Sequence, residues 1–246
     1  MKPANILNIV ATNQGKIPLT RKMPYANPLS AQEVGELMAA GHVVVDTRSS
    51  AEFGAGHIPG AVNVQMATSE FEQRVGWVTP ENSPLILVTN TAAEAQTCIY
   101  NMAFIALDSR VSGFLKGGMD GWMAAGREIE TTPQIDVHTL QERLSANGLQ
   151  VLDVREDDEW SEGHIANAHF MPYTSLVPQL DIPAQVDQIN VGLDQPMAVT
   201  CATGKRSSTA VSLLLRHGYK KLYNVTGGME AWKYAGLEIV QDSVKT

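Results

Sequence analysis

The chain has 246 residues, 44% of them hydrophobic and 18% charged, with a formal net charge of -8. Domains most often run to roughly 100–150 residues, so this length holds one large domain or two of ordinary size, and no apolar run approaches the ~20 residues of a membrane helix. The acidic balance argues against nucleic acid or an anionic membrane as partner, since both need clustered Lys and Arg to offset phosphate charge.

Residues 1–26 read as an N-terminal extension. An apolar opening (Ile6, Leu7, Ile9, Val10) gives way to a Gly, Pro, Lys and Arg mixture without a clear period, and an ordered arm is expected there rather than a strand or helix. Nothing in this stretch reads as a secretory signal, so a cytoplasmic location is expected. The two cysteines, Cys98 and Cys201, lie in unlike surroundings and are expected to stay unpaired in a reducing compartment.

From Ser30 the chain becomes periodic. Ser30 with Glu33 has capping-box spacing, Val34, Leu37 and Met38 give one apolar helix face, and Gly41 stops it. Val43–Val45 and Leu85–Val88 are continuous apolar runs, the pattern of strands buried on both faces. Between them lies VVVDTRSSAEFGAGHIPGA, from Val43 to Ala61, and later come Gly117-Gly118-Met119 and Trp122. All of this then recurs. After a boundary at Thr131-Thr132-Pro133, Asp136 with Leu140 and Leu144 opens a second helix, and VLDVREDDEWSEGHIANA repeats the Asp-x-Arg, Glu-aromatic and Gly-His-Ile spacing 107 positions on. Met197–Thr200 is a further buried run, and Gly227-Gly228-Met229 with Trp232 closes the copy at an offset of 110. Two copies of this length imply two similar domains in series, residues 27–130 and 131–246, rather than a solenoid. Short apolar runs alternating with helical patterns imply an α/β fold, each domain a mainly parallel central sheet flanked by helices.

The chemistry is concentrated after Met197–Thr200, in Cys201-Ala202-Thr203-Gly204-Lys205-Arg206-Ser207-Ser208. A cysteine here stands where a strand ends and a helix begins, and unpaired N–H groups at a helix N-terminus favour an anion. Lys205 and Arg206 add positive charge, which suits a thiolate nucleophile that attacks a sulfur donor and then holds an anionic persulfide.

The repeated Asp-x-Arg and Gly-His-Ile segments, the CATGKRSS loop and the closing Gly-Gly-Met and Trp resemble the rhodanese family from about Asn27 to Val240. The resemblance implies two rhodanese-like domains in tandem, with Cys201 catalytic and the six-residue loop running from Cys201 to Arg206. On this reading Cys201 carries sulfur from thiosulfate or a persulfide to a thiol acceptor, and Ala202, Thr203, Gly204, Lys205, Arg206 and Ser207 bind the transferred group. Two-domain members typically keep the cysteine only in the C-terminal domain. Here Thr89 falls opposite Cys201, and Ala92-Ala93-Glu94 opposite Gly204-Lys205-Arg206, so the first loop has lost nucleophile, glycine and cations together, and Glu94 would repel an anionic donor.

The opening Lys2-Pro3-Ala4-Asn5-Ile6-Leu7-Asn8 and the first copy also resemble the rhodanese region of metallo-β-lactamase fusion proteins, which implies a protein partner in sulfide or persulfide metabolism. No metal is expected, since the six histidines are scattered without ligand spacing, and no organic cofactor is required.

Asp46 with Arg48, Asp153 with Arg155, His57 and His164 occur in both copies and are read as fold features. Trp122 and Trp232 read as core aromatics, and Cys98, on the helix after the first loop, as a packed thiol. A nucleotide P-loop is rejected because Val199 stands where the earlier glycine belongs and Arg206 where a Ser or Thr does. Two alternatives stay open: a module that binds a partner or carries sulfur without fast turnover, and a cysteine phosphatase. The latter places one residue more between Cys and Arg than the four found here.

Overall fold

A computed structural model describes residues 5–16, 24–146, 148–176 and 187–241. Lys2, Pro3 and Ala4, which carry part of the N-terminal likeness, lie outside the described residues. The chain divides into two compact units, 1–130 and 131–246.

In the first unit the order is α1 (Ile6–Asn13), β1 (Pro28–Leu29), α2 (Ala31–Ala39), β2 (Val43–Asp46), α3 (Ser50–Ala55), β3 (Val62–Asn63), α4 (Phe71–Val78), β4 (Leu85–Val88), α5 (Ala92–Ala103), β5 (Val111–Leu115) and α6 (Gly118–Ala124). Its strands form one sheet in the order β1-β5-β4-β2-β3, and every pairing is parallel. The second unit repeats this with β6 (Gln134–Ile135), α7 (Val137–Ser145), β7 (Gln150–Asp153), α8 (Asp157–Ser161), β8 (His169–Phe170), β9 (Met197–Thr200), α9 (Lys205–Arg216), β10 (Leu222–Val225) and α10 (Gly228–Tyr234). Its order, β6-β10-β9-β7-β8, is the same permutation, again all parallel.

The local reasons are legible in the residues. Parallel neighbours need a crossover, which the intervening helices supply, and the sheet is then covered on both faces. The four residues of β2, of β4 and of β9 are accordingly all buried. Helix α2 starts on a reciprocal cap, Ser30 Oγ accepting the Glu33 N–H at 3.2 Å and the Glu33 carboxylate accepting the Ser30 N–H at 2.7 Å. Asp136 caps α7 by accepting from His138 and Thr139 N–H at 2.9 and 2.8 Å. Each unit has its own core: Val34, Val44, Phe53, Ile86 and Trp122 pack in the first, and Leu140, Val151, Ile165, Val225 and Trp232 in the second. Both indoles donate to a backbone carbonyl, of Glu128 at 2.7 Å and of Glu238 at 2.9 Å.

The shared polar residues fasten the turn after α3 and α8 to the sheet. Arg48 holds Asp46 at 2.6 Å and donates onward to the Gly56 carbonyl at 2.8 Å. Arg155 does the same with Asp153 at 2.7 Å and the Gly163 carbonyl at 2.9 Å. Both pairs are buried, and such a pair is retained where every remaining N–H finds an acceptor. His57 and His164 stack on Phe53 and Trp160 at 3.8 and 3.5 Å between centroids, and their Nδ1 atoms meet the carbonyls of those same residues.

The N-terminal stretch departs from expectation. Ile6–Asn13 is an α-helix, where a plain ordered arm is expected from sequence. Asn5 precedes it and donates from Nδ2 to the carbonyls of Ile105 and Ala106 at 2.8 and 3.0 Å, which fastens the helix start to the first unit. Ile6, Leu7, Ile9 and Val10 fall at helical spacing on it.

Candidate active site

Strand β9 ends at Thr200, and the next residue, Cys201, is buried. The chain then turns through Ala202 and Thr203 to Gly204, whose φ of 90° is a left-handed conformation that favours glycine, and α9 begins at Lys205. This turn brings the Gly204 N–H back onto Cys201 Sγ at 3.2 Å. Space decides as well: a Cβ on Gly204 would stand 3.0 Å from the Val225 carbonyl oxygen of β10.

The closing Gly-Gly-Met motif bears directly on this loop. Gly228, at φ 53°, lies so close that a Cβ would stand 2.6 Å from the Ala202 carbonyl oxygen. That approach lets the first N–H groups of α10 take the loop's carbonyls, Met229 N–H donating to Cys201 at 2.7 Å and Glu230 N–H to Ala202 at 3.0 Å. With these carbonyls engaged from outside, the loop amide that meets the sulfur is that of Gly204. On the other side, the Cys201 thiol lies 3.5 Å from Ser207 Oγ, in the first turn of α9.

Among the expected site residues, Cys201, Gly204 and Ser207 are buried together, Ala202 and Arg206 are half-buried, and Thr203 and Lys205 are exposed. Arg206 does not point its charge freely at the loop. Its two outer nitrogens are held by the two carboxylate oxygens of Glu159, both at 2.6 Å. The Glu159 hydrogen bond drives the guanidinium above its ordinary range, and Arg206 in turn holds the Glu159 carboxyl below the usual carboxylate range. Glu156 accepts from Thr174 Oγ1 at 3.2 Å, and burial pushes its carboxyl up. Glu156, Glu159, Thr174 and the buried Asn224 were missed from sequence, because their distance along the chain hides their place beside the loop.

The first copy builds this turn differently: helix α5 starts at Ala92, opposite Gly204, after an extended Thr91 cap with φ -136°. Thr89, following β4 as Cys201 follows β9, is buried and donates from Oγ1 to the Thr91 carbonyl at 2.9 Å. The Glu94 carboxylate accepts the Asn90 N–H at 2.9 Å, so the protein's own anion takes an amide of this loop. Cys98 on α5 is fully buried, and burial pushes its thiol up to about 12.

Comparison with family models gives one family. The model of the rhodanese-like domain matches twice, at residues 30–125 and 136–235. Thiosulfate sulfurtransferase GlpE of Vibrio cholerae is 30% identical over 105 residues, covering 43% of this chain and 92% of that protein. Its counterpart in Pseudomonas aeruginosa is 31% identical over 91 residues, 37% of this chain and 76% of that one. Among solved structures, a rhodanese-related protein from Thermoplasma volcanium is 31% identical, covering 45% of this chain and 99% of its own, with a TM-score of 0.38. A thiosulfate sulfurtransferase from Pseudomonas aeruginosa is 19% identical, covering 88% of this chain and 44% of its own, also with a TM-score of 0.38.

Proposed function

The chain belongs to the rhodanese-like family, in two tandem copies, and on that premise we propose that it is a sulfurtransferase working through a persulfide on Cys201. The observation that carries this reading is the Gly204 N–H on Cys201 Sγ at 3.2 Å, at the foot of a loop that opens helix α9. Such an arrangement stabilises negative charge on sulfur by fixed donors and a helix terminus, without reorganisation during the reaction.

In the first half-reaction the Cys201 thiolate attacks the outer sulfur of thiosulfate; a new S–S bond forms, the donor S–S bond breaks, and sulfite leaves with the electron pair. An organic persulfide reacts in the same way and releases a thiol. In the second half-reaction an acceptor thiolate attacks the outer sulfur of the Cys201 persulfide, takes it, and returns the Cys201 thiolate. Amides of Ala202 to Ser207 cradle the transferred sulfur, and Lys205 draws in the anionic donor. No metal or organic cofactor enters these steps. A reducing, cytoplasmic setting suits a thiol that must cycle in this way, and a small thiol or a protein of sulfide or persulfide metabolism is the acceptor. The Arg206 pairing counts against a phosphatase, whose loop arginine has to grip the phosphoryl group that Glu159 here replaces.

The test is an intact-mass spectrum after incubation with thiosulfate or with glutathione persulfide, for wild type and Cys201→Ser. Sulfur transfer requires a gain of one sulfur atom in wild type and none in the variant. Absence of the gain with both donors, in protein whose Cys201 is reduced, favours the partner-binding module instead.

A further inference from the structure

Cys201 Sγ has two neighbours from its own loop and helix, the Gly204 amide and the Ser207 hydroxyl. One side chain from a separate strand bonds the Ser207 hydroxyl directly and Gly204 through its carbonyl, one peptide on from the N–H that meets the sulfur. Asn224 of β10 accepts the Ser207 hydroxyl proton at Oδ1 (2.7 Å) and donates from Nδ2 to the Gly204 carbonyl (3.3 Å) and to Gln134 Oε1 (2.8 Å).

The direction of this chain is set by groups that can act in only one sense. The Gly204 carbonyl can only accept, so Nδ2 faces it and Oδ1 faces Ser207. Gln134 directs its Nε2 at the Thr132 carbonyl at 3.1 Å, which leaves its Oε1 for Asn224. Ser207 therefore gives its proton to Asn224 and accepts from the resting Cys201 thiol, which places the sulfur, while the donor that faces the thiolate is the Gly204 N–H.

The first copy is an internal control. By the shared sheet register and loop spacing, Ser207, Asn224 and Gln134 correspond to Ala95, Phe114 and Pro28. All three polar positions are apolar where the cysteine is missing. The Asp-x-Arg clip, by contrast, is kept in both copies. A group needed for the fold belongs to both copies, whereas the amide chain accompanies the thiol alone.

We propose that Asn224 is a positioning residue for sulfur transfer, holding the Gly204 amide and the Ser207 hydroxyl in place around the Cys201 sulfur before a donor arrives. The proposal rests on the sulfurtransferase reading above. Asn224 touches neither donor nor sulfur; it acts through Gly204 and Ser207, and a donor misplaced by a fraction of an ångström loses much of its value in the transition state.

The test compares wild type, Asn224→Leu, Ser207→Ala and the double variant. Leu is close in shape to Asn, and the corresponding positions of the first copy hold Phe114 and Ala95. Single-turnover persulfide formation is followed by intact mass over a range of donor concentrations. In Asn224→Leu the limiting rate should fall by about tenfold or more while the half-saturating concentration moves less than about twofold. Ser207→Ala should lose less, and the double variant no more than Asn224→Leu, since both act through one chain. Hydrogen exchange of the Gly204 amide, measured without any donor, should be about tenfold faster in Asn224→Leu. Wild-type rate and exchange in Asn224→Leu, or a loss confined to half-saturation, overturns the proposal. Failure of wild type to take up sulfur from either donor overturns the sulfurtransferase reading instead, and the exchange measurement tells the two apart.

Discussion

Arg206 supplies one of the two positive charges in the cysteine loop, yet Glu159 binds both of its outer nitrogens at 2.6 Å. The pair is mostly shielded, with side chains 17% and 29% exposed, so its geometry is worth more than that of an open surface pair, about 1 kcal/mol. Because Arg206 holds the Glu159 carboxyl below its ordinary range in the folded protein, this stability is fully present above the ordinary glutamate range and is lost as pH falls through the lowered folded value. Urea unfolding should therefore find Glu159→Gln less stable than wild type at neutral pH, with the gap closing in acid; a gap unchanged in acid would show that the charge pair is not its source. The same variant leaves the Arg206 charge to face the loop, so the half-saturating thiosulfate concentration should fall. Cys98 gives the opposite expectation. Burial that pushes its thiol up to about 12 leaves it protonated at neutral pH, and Cys98→Ser should take up sulfur at the wild-type rate in the intact-mass assay.

Helix α10 is the element that closes the loop, and its glycine pair separates shared architecture from local chemistry. Gly228 and Gly118 both adopt positive φ, at 53° and 56°, and both crowd the carbonyl groups of the loop before them, Gly118 with a Cβ position 2.9 Å from the Thr89 oxygen. Replacement by Ala should cost about 1–3 kcal/mol at either site, read by urea unfolding. Only Gly228→Ala should slow persulfide formation, since only it displaces carbonyls next to Cys201, and equal slowing by Gly118→Ala would contradict the division of labour between the copies. Much at this scale was readable in the chain itself: Ser30 and Asp136 announce their helices by cap spacing, and the continuous runs before Thr89 and Cys201 announce buried parallel strands. The contacts across elements were not. Arg206 meets Glu159 across 47 positions and Ser207 meets Asn224 across 17, and no local period encodes such distances. Aligning the copies carries the missing signal, for Asn224 against Phe114 is a polar residue in a strand whose counterpart is apolar. Helix α1 is not preferred over an ordered arm from sequence because a short apolar run without a side-chain cap looks alike as arm, strand or helix.

The molecule as a whole consists of two units with the same strand permutation and separate cores, of which one carries a thiol at the loop position. Each unit has a complete five-stranded parallel sheet, and relatives such as the Vibrio cholerae GlpE match over 105 residues, the span of one unit. A fragment of residues 131–246 should therefore fold alone and gain sulfur, while residues 1–130 should fold and gain none. The sharper form of this expectation restores the nucleophile to the first copy, as Thr89→Cys in the full chain with Cys201→Ser. A thiol would then stand at a strand end before the twelve-residue helix α5, with much of what the macrodipole can offer. It would lack the rest: Ala92 stands for Gly204, Ala95 for Ser207 and Phe114 for Asn224, and the Glu94 carboxylate already takes the Asn90 amide. Thr89→Cys should accordingly show no sulfur gain in the intact-mass spectrum, and adding Glu94→Arg should not rescue it without Ala92→Gly. Uptake by the single variant would mean that a helix terminus and a thiol suffice, and that the glycine turn and the amide chain around Cys201 set the rate of transfer rather than its occurrence.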